Sequence, residues 1–229
     1  MSISPLQRFF LAALLWLPLA FFLWFAFATA FAWPPIALAK LALLHAWPTL
    51  FTAIGQGADL LDAQGRVLSH PGYLMQITSG VLVNAAPAGA PPRFGFIEPV
   101  VNPMVYGYAL PLFVGLVLAT PLARFGLVRQ LAIGVPLLWG VQAFGVIAES
   151  LKSVSLDAGQ AGVEAAQRAG VSLELVALCY QFGYLILPAL VPAALWIVLN
   201  RSFIESLTRP AAVEPAPAVG VETPHIPGR

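Results

Sequence analysis

The side chains that most often perform catalysis are few and scattered in this chain. Cys179 is the only cysteine, and the three histidines are His45, His70 and His225. A thiol nucleophile needs a base and a charge-stabilising group beside it, and the spacing of His45, His70 and Arg168 places none of them on a helix face with Cys179. Nucleotide-binding loops, zinc-binding motifs and nucleophile motifs are also missing from the sequence. We therefore predict no catalytic set, no metal site and no cofactor.

A polar stripe is the first pattern that could carry a function. Gln142, Gly145, Glu149 and Lys152 follow one another at i, i+3, i+7 and i+10, inside and just after a long apolar stretch. This spacing places them on one face of a helix. Because polar groups are costly in lipid, the face must contact protein or water.

Two further polar groups lie at a similar distance along other apolar stretches. Asn102, Tyr106 and Tyr108 come at the start of one stretch, and Tyr180 and Gln181 lie near the start of another. One interpretation is that such groups join helices by hydrogen bonds and close packing. The other is a docking or substrate groove. Both stay open, and the candidate docking residues are Asn102, Tyr106, Tyr108, Gln142, Glu149, Lys152, Tyr180 and Gln181.

The elements that would position these residues are membrane-spanning helices. Of the 229 residues, 59% are apolar and 9% are charged. Four stretches without Lys, Arg, Asp or Glu, at residues 9–32, 105–122, 131–148 and 175–199, are long enough to cross a bilayer as helices. A soluble enzyme is therefore excluded, and the net charge of +1 gives no reason to expect a nucleic-acid partner.

Basic residues cluster at alternate ends of the four stretches. They are Arg8, Arg124, Arg129, Arg201 and Arg209. Because basic residues favour the cytoplasmic side, both termini of this multi-pass membrane protein are predicted to be cytoplasmic. The first stretch is longer than the apolar part of a signal peptide, and we expect it to remain as an anchor.

The segment 33–104 is predicted to lie outside the membrane. Prolines at 34 and 35 should break the first helix, and residues 36–47 would then form an interfacial helix, although one long kinked helix is the alternative. Residues 58–61 and 66–69 flank a turn and indicate a β-hairpin. Residues 73–78, 81–84 and 94–101 are further strand candidates, and the proline-rich residues 85–93 should be irregular.

The predicted fold class is an all-α transmembrane bundle of four helices with a small β-rich extracytoplasmic insert. Residues 1–32 would form the N-terminal transmembrane helix, and 33–104 the interfacial helix and insert. Residues 105–200 would form a three-helix transmembrane region whose outer loop, 149–174, includes a short helix at 161–169. Residues 201–229 would form a disordered cytoplasmic tail, because their composition offers little apolar surface to bury.

Several polar and glycine motifs together resemble one known family. They are Asn102-Pro103-x-x-Tyr106-Gly107-Tyr108-x-Leu110-Pro111-Leu112, Gln142-Ala143-Phe144-Gly145, Leu151-Lys152 and Tyr180-Gln181-Phe182-Gly183-x-Leu185-Ile186-Leu187-Pro188. These motifs look like those of the exosortase H-associated membrane proteins, over residues 5 to 205. That family is encoded beside an exosortase, a polytopic cysteine transpeptidase that handles proteins with C-terminal sorting tags in Gram-negative bacteria.

The resemblance implies an accessory protein of a protein-sorting system in the bacterial inner membrane. Exosortases use a Cys, an Arg and a His, and this chain lacks that arrangement around Cys179. We therefore expect a non-catalytic membrane protein, not an enzyme, that docks the exosortase or its tagged substrates within the lipid bilayer. The alternatives are a small transporter or channel subunit and, third, an intramembrane cysteine transpeptidase.

Overall fold

The computed structural model describes residues 4–84, 91 and 93–208. Most of the predicted irregular loop 85–93, and the tail from residue 209 onward, lie outside the described residues. The helices are α1 (Pro5–Ala26), α2 (Ala28–Ala46), α3 (Met104–Gly107), α4 (Ala109–Ala119), α5 (Arg124–Ser155), α6 (Gly159–Arg168), α7 (Leu173–Gln181), α8 (Leu187–Leu199) and α9 (Arg201–Thr208). A π-helical segment, Phe182–Ile186, joins α7 to α8.

Three helical stretches among the described residues are long and apolar enough to cross a membrane. They are Pro5–Ala26, Arg124–Ser155 and Leu173–Leu199. The predicted second span is shorter than expected, because the apolar helix Met104–Ala119 ends where Thr120 adopts an extended backbone with ψ 132°. The prediction of a membrane-spanning, mostly helical fold is confirmed, whereas only three of the four predicted spans have full length.

The membrane helices pack around α4. Helix α1 lies along α4, which also contacts α5 and α8. Within Met104–Ala119 only Val105 is exposed, and a small apolar core forms around the buried Phe113 and Leu138. By contrast, only 6% of the α1 span is buried. Helix α1 therefore presents most of its surface outward, as a lipid-facing helix does.

The first helix breaks at Phe27 and not at the two prolines. Phe27 has ψ 30°, whereas Pro34 and Pro35 lie inside α2. Each proline removes one backbone donor from the helix. The buried face of α2, which includes Pro35, Ile36 and Leu43, packs against α5 and the sheet and offsets that cost. The predicted break before residue 36 is therefore wrong.

Among the described residues of the insert, seven short strands form three antiparallel sheets. They are β1 (Phe51–Gln56), β2 (Leu60–Leu61), β3 (Val67–Ser69), β4 (Met75–Ser79), β5 (Leu82–Asn84), β6 (Phe94–Phe96) and β7 (Val100–Val101), arranged as β1-β4-β7, β2-β3 and β5-β6. Strand β1 escaped prediction because a register shift between Phe51 and Ala53 breaks its two-residue period. The buried Phe51 and Ile54 are consequently three residues apart.

The hairpin β2–β3 confirms the turn prediction. Gly65 has φ +77°, a conformation that glycine adopts without strain. The Asp62 carboxylate accepts hydrogen bonds from the backbone N–H groups of Arg66 at 2.8 Å and Gln64 at 2.9 Å, and from Nε of Arg66 at 2.8 Å. These bonds, above all the one from the Arg66 backbone, hold the pKa of Asp62 below its usual value.

The helix α9 corrects the predicted start of the disordered tail. Residues Arg201–Thr208 are helical, and the ring of Phe203 lies 5.5 Å from that of Phe9 in α1. This aromatic contact buries apolar surface, and amino-acid composition cannot show that Phe203 packs against a helix so distant in the sequence. A second apolar core, distinct from the one around α4, joins α2, the sheet, the C-terminal half of α5 and α6.

Candidate functional site

Five side chains from three parts of the chain meet at one end of the bundle. Tyr106 of α3 is 1% exposed and lies close enough to Glu149 of α5 to interact with its carboxyl group. The Tyr106 ring meets Tyr184 edge-on at 6.1 Å, and Tyr184 stacks on Tyr180 at 5.8 Å. With Lys152 these residues form what we call the distal cluster: Tyr106, Glu149, Lys152, Tyr180 and Tyr184.

Two glycines allow this convergence. A Cβ atom at Gly145 would overlap the ring of Tyr106, and one at Gly183 would lie 3.2 Å from Cα of Gly145. Helix α5 and the π-helical segment therefore touch backbone to backbone, as small residues permit in membrane helices. The Tyr106 ring fills the space that a side chain at position 145 would occupy.

Lys152 holds the charged edge of the cluster. Its Nζ atom lies 2.7 Å from Oδ2 of Asp157 and 5.1 Å from the centre of the Tyr180 ring. Glu149 differs, because its Oε2 atom is buried without a hydrogen-bond partner among the described residues. The cluster thus combines a paired cation, an incompletely paired carboxyl group and three phenols, which suit recognition by hydrogen bonds and aromatic contacts.

The π-helical segment lies within the cluster. The N–H of Leu187 donates to the carbonyl of Phe182, five residues earlier. Pro188 follows at once and has no N–H to donate to Tyr184, so the regular α-helical pattern is interrupted at this point. Such single-turn π segments occur frequently at functional sites.

The remaining predicted site residues take no part in the contacts that define the cluster. Nε2 of Gln142 donates to the carbonyl of Pro103 at 3.0 Å, so this buried amide joins α5 to the start of α3. Oδ1 of Asn102 accepts the N–H of Met104 at 3.1 Å and caps the same turn. Tyr108 is half-buried where α4 begins. Gln181 is exposed, and its side chain has no hydrogen bond within the described part of the chain.

A second polar layer, not found from the sequence, lies at the opposite end of the bundle. Gln130 and Asn200 exchange hydrogen bonds at 2.8 and 3.1 Å. Nε1 of Trp196 donates to Oγ1 of Thr120 at 3.0 Å, and the Trp196 ring stacks on Phe9 at 5.5 Å. No sequence spacing indicates the pairing of Gln130 with Asn200, because 70 residues separate them.

The exposed arginines Arg8, Arg124, Arg129 and Arg201 lie beside this second layer, each within a few residues of one of its members. We call this end of the bundle the arginine end and the opposite one the distal end. The grouping of basic residues by sequence thus corresponds to one end of the described structure. Arg209 lies outside the described residues.

The cysteine lies in apolar surroundings. Cys179 lines a groove of about 340 Å³ with Trp47, Phe144, Leu151 and Leu175. No His, Arg, Asp or Glu contributes to this lining. Groups of three or more His, Cys, Asp or Glu side chains that could hold a metal ion are also not found in the residues that the structure describes.

Comparison with known proteins identifies the family. The family model described as exosortase H-associated membrane protein matches residues 3–203 of this chain. The comparison with curated proteins gives no match, and neither does that with solved structures. The match includes every residue of the distal cluster and confirms the resemblance seen in the motifs around Tyr106, Gln142 and Tyr180. The chain therefore belongs to the exosortase H-associated membrane protein family.

Proposed function

We propose that this protein is a non-catalytic accessory subunit of an exosortase system in the inner membrane of Gram-negative bacteria. It binds the exosortase, or the tagged substrates of that enzyme, through a docking face made of Lys152, Tyr180, Gln181 and Tyr184. The observation that supports this proposal most is the exposed amide of Gln181. It lies on an apolar membrane helix and has no hydrogen-bond partner within the described structure.

The depth of Gln181 explains why a protein partner is expected. About 19 residues separate it from Asn200 at the arginine end, a helical rise of about 28 Å in a hydrocarbon layer of about 30 Å. Gln181 therefore lies near the distal boundary of the hydrocarbon layer. Acyl chains offer its exposed amide no hydrogen bond, whereas a partner helix at this boundary would.

The topology that this proposal requires has four crossings with both termini in the cytoplasm. Phe9 and Trp196 stack on each other, so the first and last spans begin and end at the same end of the bundle. A chain that returns to its starting side crosses the membrane an even number of times. The short helix Met104–Ala119 is then the remaining crossing, the second in chain order, antiparallel to α1 and α5 and parallel to α8.

Two glutamines provide a matched test of the docking face. Gln142→Leu should lower the free energy of unfolding by about 0.6 kcal/mol, because Gln142 has a hydrogen bond within the bundle. Gln181→Leu should leave stability unchanged and reduce co-purification with the exosortase or a tagged substrate by about tenfold, equivalent to about 1.4 kcal/mol. Thermal unfolding in detergent and quantitative pull-down measure the two effects. Retention of both candidate partners by Gln181→Leu would contradict the docking face.

The charged edge of the cluster offers a second test. Lys152→Gln and Glu149→Gln should weaken the same co-purification while leaving the melting temperature nearly unchanged. The partly exposed Lys152–Asp157 pair contributes about 0–1 kcal/mol, and Glu149→Gln keeps an oxygen that can accept a hydrogen bond from Tyr106. Lys40→Gln is the control, because Lys40 is an exposed cation on α2 that belongs to neither the cluster nor the docking face. A pair of variants that loses thermal stability but keeps its partner would show a structural role instead.

The non-catalytic part of the proposal is tested at the cysteine. Cys179 lies among apolar side chains, without a base or a guanidinium group in the lining of its groove. Cys179→Ala should therefore behave as the wild type in maturation of tagged proteins, whereas deletion of the gene should impair it. Loss of processing by Cys179→Ala, at normal accumulation in the membrane, would favour the intramembrane transpeptidase.

A small transporter or channel subunit is the competing proposal, and the packing argues against it. Between the distal cluster and the polar layer at the arginine end, the bundle is filled by an apolar core around Phe113, Val117 and Leu138. The cavity between α1 and α4, of about 160 Å³, is lined by apolar side chains together with the ring faces of tryptophans. The buried polar side-chain groups in this part of the described structure are the Gln142 amide, which is bonded to the Pro103 carbonyl, and the indole N–H groups of Trp24 and Trp139. These groups are too few and too isolated to form a continuous polar path.

A further inference from the structure

The hairpin β2–β3 exposes apolar side chains outside the membrane-spanning helices. Leu60, Leu61, Val67 and Leu68 are all exposed, and Leu68 is 70% exposed. Adjacent exposed leucines and valines on so short a hairpin have no core of their own to cover them. Leu61 is paired with Val67 across the two strands, and Leu68 follows Val67 on the opposite face, so both faces of the hairpin expose apolar side chains. Another surface must cover the hairpin if these side chains are to leave water.

The base of the hairpin is fixed at the depth where α1 ends. Nε2 of Gln56 donates to the carbonyl of Thr29 at 2.8 Å and to that of Gly72 at 2.9 Å. A Cβ atom at Gly72 would lie 2.9 Å from the Thr29 side chain. The two ends of the hairpin thus approach the chain at Thr29, just after the break at Phe27.

A distance along α1 relates this depth to the membrane. Phe9 lies at the arginine end, and about 20 residues separate it from Thr29. The corresponding rise of about 30 Å equals the thickness of the hydrocarbon layer. In α5, Ser150 comes about 20 residues after Gln130, so it lies at about the same height above the arginine end as Thr29. Thr29 and the hairpin base are consequently at the distal surface of the bilayer.

We propose that the hairpin β2–β3 binds the distal leaflet of the membrane, with Leu61, Val67 and Leu68 at the boundary between head groups and acyl chains. The polar pairs of the hairpin fit this shallow position. Asp62 is paired with Arg66 at 2.8 Å, and Asp59 with His70 at 2.7 Å, so both would lie among the lipid head groups. This surface is independent of the docking face on α7 and the π-helical segment.

The hairpin β5–β6 provides a contrast in the same insert. Phe94 is 71% exposed, about as much as Leu68. However, Val83 of β5 and Ile97, which follows β6, line one cavity with Asp157. Asp157 comes seven residues after Ser150 and just past the end of α5. This hairpin is therefore about 10 Å farther from the arginine end than the level of Thr29. Its aromatic side chains should remain outside the bilayer.

Depth measurement by fluorescence quenching tests the proposal. The native cysteine is first removed from the full chain by Cys179→Ala, so that each variant has a single thiol for labelling. Leu68→Cys is then introduced in one variant and Phe94→Cys in the matched control. Each is labelled with bimane and reconstituted into nanodiscs of phosphatidylethanolamine and phosphatidylglycerol that contain a lipid with a nitroxide at carbon 5 of the acyl chain. The label at position 68 should be strongly quenched and blue-shifted, and that at position 94 should show neither effect.

Two outcomes would overturn the inference. One is equal quenching at positions 68 and 94. The other is a label at position 68 that is protected only after the exosortase is added, which would assign the hairpin to a protein partner. A second position, Leu61→Cys, must give the same result as Leu68→Cys, because Leu61 is exposed on the paired strand. The expected results do not depend on whether the chain binds an exosortase.

Discussion

At the level of single residues, glycines determine whether the distal cluster can form. Gly145 leaves room for the ring of Tyr106, and Gly183 lets the π-helical segment approach α5. Without these contacts, Tyr106 could not lie between the helices beside Glu149. The cluster therefore depends on two residues that offer no functional group of their own.

A pair of glycine variants in one helix tests this dependence. Gly145→Ala should lower the free energy of unfolding by about 1–3 kcal/mol, because the new methyl group overlaps the Tyr106 ring. Gly140→Ala in the same helix is the control: nothing lies within 4 Å of its Cβ position, and alanine should stabilise the helix by about 0.5–1 kcal/mol. Thermal unfolding in detergent measures both. Equal effects of the two substitutions would contradict the close packing.

The sequence predicts the residues of the site better than their roles. Helical spacing correctly places Gln142, Gly145 and Glu149 on a face that contacts other helices. It cannot show that Gln142 bonds to the Pro103 carbonyl while Gln181 stays exposed, because that depends on how each helix is rotated within the bundle. The orientation follows from contacts between distant parts of the chain, such as Gly145 with Gly183.

At the level of elements, the polar layer at the arginine end joins the ends of three membrane helices. Gln130 of α5 exchanges hydrogen bonds with Asn200 after α8, and Trp196 of α8 bonds to Thr120 after α4. These bonds lie where the helices approach one another and the chain turns. We expect them to determine how α4, α5 and α8 align along the membrane normal.

A double-mutant cycle tests the strength of this connection. Gln130→Leu and Asn200→Leu should each lower the free energy of unfolding by about 1 kcal/mol, because each leaves a buried amide without its partner. The double variant should lose less than the sum, with a coupling energy of about 0.6 kcal/mol and at most about 1.7 kcal/mol. Additive losses would mean that the two amides do not stabilise each other.

Element boundaries show where local sequence rules fail. The strands that follow a clear turn, β2 and β3, are correctly predicted, whereas β1 is hidden by its bulge. Pro34 and Pro35 predict a helix end that the packing of α2 against α5 prevents. In each failure, contacts with another element outweigh the local preference of the chain.

At the level of the whole molecule, the topology can be measured directly. Reporter fusions at Gly65 and Gly170, two turn glycines with open space around them, should read as periplasmic. A fusion after Ala123, next to Arg124 at the arginine end, should read as cytoplasmic. The expectation rests on the exposed arginines that share one end of the bundle. A cytoplasmic signal at Gly65 would overturn the arrangement.

The short helix Met104–Ala119 affects how the protein matches a membrane. At about 1.5 Å per residue it rises about 24 Å, less than the thickness of the hydrocarbon layer. Hydrophobic mismatch costs free energy only where lipid touches the mismatched surface. Since α1, α5 and α8 surround α4, acyl chains meet mainly the longer helices. We therefore expect α1, and not the short helix Met104–Ala119, to set the bilayer thickness that this protein prefers.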